Sequence, residues 1–173
     1  MNHSKAVSIK PVFLSRLETL EHLVTAGERH FGSEPEKMLE LRLAPDMLPF
    51  GTQVAYTCDQ PHNFARWCEG KEVEHIGPDV QSLSQAREII AGVKASLNGA
   101  DVADSKFEEM MTLELGDTMY LELSGTEYLE EFLIPNFYFH LVTAYSILRM
   151  SGVPVGKHDY MMHLVPRVKQ REK

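Results

Sequence analysis

Asn136 and His140 are the two side chains of this sequence best placed to do chemistry. They lie in Asn136-Phe-Tyr-Phe-His140-Leu-Val-Thr-Ala-Tyr145-Ser-Ile-Leu148-Arg149-Met-Ser-Gly152-Val-Pro154, an apolar run closed by a glycine and then a proline. Residues four apart share a helix face, so an amide sits one turn before an imidazole in a stripe of Leu, Phe, Ala and Ile. An imidazole in that setting can ligate a metal, act as a base in a pocket, or satisfy both ring nitrogens inside a core. Asn136 could bond that imidazole or serve a backbone carbonyl freed by Pro135. The pattern leaves these readings open.

Other candidates are weaker. Asp46 follows Pro45 and reads as the N-cap of a helix, with Pro49 in its first turn. Asp59 is either a solvated helix residue or a cleft carboxylate. Its six-residue distance from Gln53 puts the two on different helix faces. Tyr145 is a pocket candidate whose bland alternative is bundle packing, and Arg149 interacts favourably with a helix C-terminus. His3, His22, His30, His62, His75, His158 and His163 show no tight ligand spacing. Phe137, Tyr138 and Phe139 read as core. The chain has no Gly-rich phosphate loop, no Gly-x-Ser-x-Gly elbow and no His-Glu-x-x-His pair. Nucleotide hydrolysis, serine esterase and zincin chemistry are therefore disfavoured.

The elements that must position these residues are helical. Phe13, Leu17, Leu20, Val24, Gly27 and Phe31 recur in steps of three and four and predict a helix over Pro11–Phe31. A short helix restarts at Pro35 and carries Met38, Leu39 and Leu41. Phe50, Val54, Cys58, Pro61, Ala65 and Cys68 predict a second long helix over Met47–Glu69, kinked at Pro61. Ser82-x-x-Gln85 resembles a capping box before a stripe of Leu83, Ala86, Ile90, Val93 and Leu97, giving a third over Ser82–Asn98. Met111–Leu115 and Met119–Leu123 flank Gly116-Asp117-Thr118 as a hairpin. A fourth helix follows over Thr126–Ser151; being apolar almost all round, it is expected to be the most buried. The fold class is all-α, an up-down four-helix bundle with a small β-hairpin insertion, in one domain over residues 1–165. A charged tail over 166–173 is expected to be disordered.

Composition sets outer bounds. A chain of 173 residues suits one domain. A formal net charge of −8 disfavours nucleic-acid backbones. No apolar run reaches the ~20 residues of a membrane span, and the N-terminus lacks the pattern of a secretory signal; a cytoplasmic protein is expected. Cys58 and Cys68, on one helix, are too far apart to join and read as buried thiols, with Cys58 a possible pocket wall.

Two motifs carry a resemblance. Leu41-Arg-Leu-Ala-Pro-Asp46-Met-Leu-Pro-Phe50-Gly-Thr-Gln53-Val, followed by Asp59, resembles the second-helix motif of a bacterial domain-of-unknown-function branch of the DinB-like (YfiT-like) superfamily. Pro135-Asn-Phe-Tyr-Phe-His140 through Leu148-Arg-Met-Ser-Gly-Val-Pro-Val-Gly156-Lys157, then Asp159-Tyr160, resembles its C-terminal motif. The resemblance implies a DinB-like bundle, a homodimer, and a divalent metal (Zn or Ni) held by one histidine of the second helix and two of the last. It also implies thiol-dependent transferase or isomerase chemistry in some members. Matched residue by residue, His140 takes the final ligand position, Asn136 the preceding one, and Gln53 the second-helix one. Amide oxygens are weak ligands for zinc or nickel, so the expected function is a small-molecule-binding or interaction module with a degenerate metal site. The alternative is a metal-dependent thiol transferase or isomerase using His140. Gln53, Asn136 and His140 are expected to converge on one cavity, with Asp59 and Tyr145 as further pocket candidates.

Overall fold

The structure is a computed structural model that describes residues 5–101 and 103–171. It is mostly helical, with one small antiparallel sheet. Four long helices carry it: α1 (Lys5–Phe31), α2 (Phe50–Cys68), α3 (Leu83–Gly99) and α4 (Ile134–Met150). Two strands, β1 (Met110–Glu114) and β2 (Tyr120–Ser124), form the hairpin between α3 and α4, with Met111 opposite Leu123 and Leu113 opposite Leu121. Among the described residues no helix is long and apolar enough to cross a membrane.

The apolar stripes become the core. Phe13, Leu17, Leu20 and Val24 of α1, and Leu83, Ala86, Ile90, Val93 and Leu97 of α3, are buried. Phe13 packs its ring against Phe64 of α2 (5.6 Å) and edge-on to Phe137 of α4 (5.0 Å). Ser82 caps α3 by accepting from the Gln85 N–H (3.1 Å), while the Gln85 side chain accepts from Gln81 N (2.8 Å).

Four expectations change. Helix α1 starts at Lys5, with Pro11 inside it rather than at its head. Helix α2 starts at Phe50, not Met47, and Pro49 holds the N-cap position. Asp46 is therefore not a cap; it is exposed in a turn closed by Met47 N donating to Ala44 O (3.0 Å). The cause is Pro49, which pushes the residue before it away from helical angles. The lead into α4 is not plain α-helix. Ser124 and Glu127 form a capping box, a π-helical segment spans Tyr128–Leu133, and α4 resumes with Pro135 in its first turn. Widening the helix there accommodates a residue that has no N–H and a bulky ring.

The most buried helix is also α2 rather than α4. All its residues except Tyr56, His62 and Arg66 are buried, because α3 and α4 pack on it and the loop after it is hydrogen-bonded along it. Helix α4 leaves Phe139 at 57% and Met150 at 57% exposed. After α4, a short α5 (Lys157–Tyr160) and a 3-10 turn over Met162–Arg167 pack on α1, so regular structure runs just into the segment 166–173. Residues 172 and 173 lie outside the described residues.

Gly125 marks the tightest joint. A Cβ there would stand 2.5 Å from the Lys106 carbonyl oxygen and 2.6 Å from the Trp67 ring. Gly125→Ala should therefore destabilise the protein by roughly 1–3 kcal/mol. Gly92→Ala, in mid-α3 with nothing within 4 Å of the new carbon, should instead stabilise by about 0.5–1 kcal/mol through helix propensity. Urea midpoints of the two variants should move in opposite directions; a shared direction would contradict this packing.

Candidate functional site

Helix α2 buries polar side chains, and their partners define the site. Thr52, Tyr56, Asp59, Asn63 and Arg66 are spaced by three and four residues and share one face. The irregular segment 71–81 lies along that face as a strap. Arg66 Nε donates to Glu72 O (2.8 Å), and its Nη1 pairs with Glu74 (2.6 Å). Asn63 Oδ1 accepts from Glu74 N (2.9 Å). Asp59 accepts from Ile76 N (2.8 Å) and from the His75 Nδ1 (3.0 Å). Thr52 Oγ1 donates to Pro78 O (3.1 Å). Asp59, only 4% exposed, is thus a buried carboxylate with partners on both oxygens, as its desolvation requires.

The next face of α2 meets α4. His140 Nδ1 lies 2.8 Å from Gln53 Oε1, and Gln53 Nε2 donates to Leu48 O (3.1 Å). The second contact orients the amide: its NH2 group faces a carbonyl, so its oxygen faces the imidazole. Nδ1 must then carry the proton, which leaves the Nε2 lone pair free in the neutral ring. Among the described residues Nε2 has no hydrogen-bond partner. Burial lowers the His140 pKa below its ordinary 6.5, and the Asp59 carboxylate opposes that shift. The ring is neutral near pH 7 and offers an acceptor.

His140 lines a cleft of about 350 Å³ together with Tyr56, Asp59, Gln60, His75, Ile76 and Pro78. The Tyr56 ring stands edge-on to the His140 ring at 5.2 Å. Gln53 and Asp59 lie on flanking faces of α2, with Tyr56 and Gln60 between them. Asn136 does not join: its Nδ2 donates to Phe132 O (2.7 Å) within the π-helical lead-in. Tyr145 is elsewhere too, edge-on to Tyr160 at 5.7 Å beside Val142 and Lys157. Both cysteines are free and buried; burial pushes the Cys58 thiol far up and the Cys68 thiol to about 11, so neither is a ready nucleophile.

A family model described as a domain of unknown function (DUF1993) matches residues 6–161. The chain belongs to that family. It is also similar to a solved structure described as the crystal structure of a DinB family member protein from Shewanella denitrificans. The two are 30% identical, the match covers 88% of each chain, and the TM-score is 0.74. The DUF1993 chain is thus DinB-like. A comparison with curated proteins finds no match.

The DinB-like resemblance implies a metal at Gln53, Asn136 and His140, and the donors of this chain do not fit one. Gln53 Oε1 is engaged by the His140 N–H, and the Asn136 amide is turned to a backbone carbonyl. A neutral amide is in any case a poor substitute for imidazole. Among the described residues no three His, Cys, Asp or Glu side chains gather to hold an ion.

Sequence reasoning passed over His75, Tyr56, Gln60 and Asn63. For Tyr56 and Asn63 the signal was present: polar residues at 52, 56, 59, 63 and 66, one face of a helix whose other residues are mostly apolar.

The depressed His140 pKa has a defined sign in stability. As pH falls, the unfolded chain, titrating near 6.5, takes up the proton before the folded one does. The contribution is full above that value and is lost as pH falls through the lower folded value. Replacing His140 with Gln should flatten the fall in denaturation midpoint between about pH 7.5 and 5 relative to wild type. Equal slopes would show that His140 is not held neutral.

Proposed function

We propose that this DinB-like chain is a small-molecule-binding module whose site is the cleft over His140, without a three-donor metal centre. The observation that carries this reading is the Gln53 amide oxygen, which accepts a hydrogen bond from the His140 Nδ1–H and leaves Nε2 as the ring's acceptor. A volume of about 350 Å³ falls at the small end of ligand pockets. Tyr56, Ile76 and Pro78 offer apolar walls, and the Gln60 amide adds polar capacity. The ligand class that fits is a small neutral molecule with one flat or apolar body and one O–H or N–H to donate to Nε2.

The same reading extends to the whole molecule. We take the four long helices as an up-down four-helix bundle in a single domain over residues 1–165, and the protein as a cytoplasmic homodimer. Two free thiols suit a reducing compartment. Phe139, Val142 and Met150 share one face of α4 and are 57%, 43% and 57% exposed, an apolar strip of the kind a two-fold partner covers.

Matched probes test the site. Phenol, which donates, should shift the amide resonances of Tyr56, Ile76 and His140 in a saturable way. Anisole, which has the same ring but no donor, should bind at least about tenfold more weakly, the worth of one hydrogen bond. His140→Ala should remove the difference between them. Equal binding of the two probes would contradict the acceptor role. Sub-micromolar zinc affinity lost in His140→Ala would replace this reading with the metal-dependent one.

A further inference from the structure

A second cavity is larger than the His140 cleft. A slot of about 630 Å³ is bounded by β1 on one side and Lys71, Glu72, Val73 and His75 on the other, with Trp67 in its lining. Its lining takes in all five β1 residues and none of β2. The hydrogen-bond pattern shows which β1 groups border it. Gly125 N donates to Glu109 O (2.9 Å) and Leu115 N to Met119 O (2.8 Å). With the register of the hairpin, the odd-numbered residues of β1 bond to β2. The N–H and C=O groups of Met110, Thr112 and Glu114 therefore point away from β2, and among the described residues they have no backbone partner. An edge of this kind is a template for another strand.

Charge selects the occupant. Both lysines on the slot are already engaged, Lys71 with Glu69 (2.5 Å) and Lys106 with Glu109 (3.8 Å) and over the Trp67 ring (5.6 Å), and the His75 ring is hydrogen-bonded to Asp59 (3.0 Å). Glu72 and Glu114 line the same slot with no ion-pair partner among the described residues. We propose that the slot takes an extended, Lys- or Arg-bearing peptide segment of a partner protein, added to β1 as a third strand. Alternate side chains of that segment fall toward Trp67 and Leu113 and toward the free carboxylates, so apolar and basic residues should alternate along it.

The full chain can be titrated with the capped hexapeptide Val-Lys-Val-Arg-Val-Lys and followed by amide NMR. Saturable shifts at Met110, Thr112 and Glu114 are expected, and a Val-Glu-Val-Asp-Val-Glu peptide should produce none. Thr112→Pro removes one outward N–H while leaving the β1–β2 bonds intact, so binding should fall at least about tenfold with the thermal midpoint nearly unchanged. The same peptide with alternate backbone nitrogens methylated should also fail on the wild-type chain, which guards against a variant that misfolds. Glu72→Gln with Glu114→Gln should weaken binding several-fold. Absence of shifts, equal binding of the acidic peptide, or full binding by Thr112→Pro would overturn the proposal. So would a change in the sedimentation of the free chain on Thr112→Pro, because a second copy would then hold the edge.

Discussion

Helix α2 carries Thr52, Gln53, Thr57, Asp59, Gln60 and Asn63 into positions that exclude solvent, and each of them must find a partner there or destabilise the fold. Three bond back along the helix: Thr57 to Gln53 O, Gln60 to Tyr56 O and Asn63 to Asp59 O. That leaves the Thr52 hydroxyl, the Asp59 carboxylate, the Asn63 oxygen and the Gln53 amide oxygen. The strap satisfies the first three, and α4 satisfies the fourth. Loop and helix are thus drawn to α2 by the same demand, and the cleft is the space where the two partners fail to meet.

This origin explains the electronic state of His140. Gln53 offers an acceptor, so it can hold only a protonated Nδ1, and the half-buried ring cannot readily take a second proton. The Gln53 amide oxygen accepts from the neighbouring imidazole's N–H and holds the ring in that tautomer. Gln53 is thereby a support for a neutral hydrogen-bond acceptor. Asp59 serves the cleft differently. Its charge is spent on Ile76 N and His75, so it braces the strap wall and influences His140 through space.

The sequence makes the helices legible to within a few residues where apolar stripes are unbroken, as in α3, whose five stripe residues are all buried. It misleads where proline acts. Pro49 delays α2 and strips Asp46 of a capping role, and Pro135 calls for a π-helical lead-in that a 3.6-residue period does not signal. Apolar content overstated the burial of α4, since burial follows from how many neighbours surround a helix. The strap was invisible for a related reason: segment 71–81 has no periodicity of its own, and its position is written in polar residues of α2. Of the site, the pairing of Gln53 with His140 could be approached through motif resemblance. The exclusion of Asn136 could not, because it depends on the backbone carbonyl of Phe132 being within reach.

One proton sets the chemistry of the cleft. Long-range ¹H–¹⁵N correlation of the imidazole nitrogens in the intact chain near pH 7 reads the state of His140 directly. The structure requires a protonated Nδ1 and a bare Nε2, with the pattern changed when Gln53 is replaced by Leu. A ring protonated at Nε2, or carrying protons on both nitrogens at that pH, would contradict it.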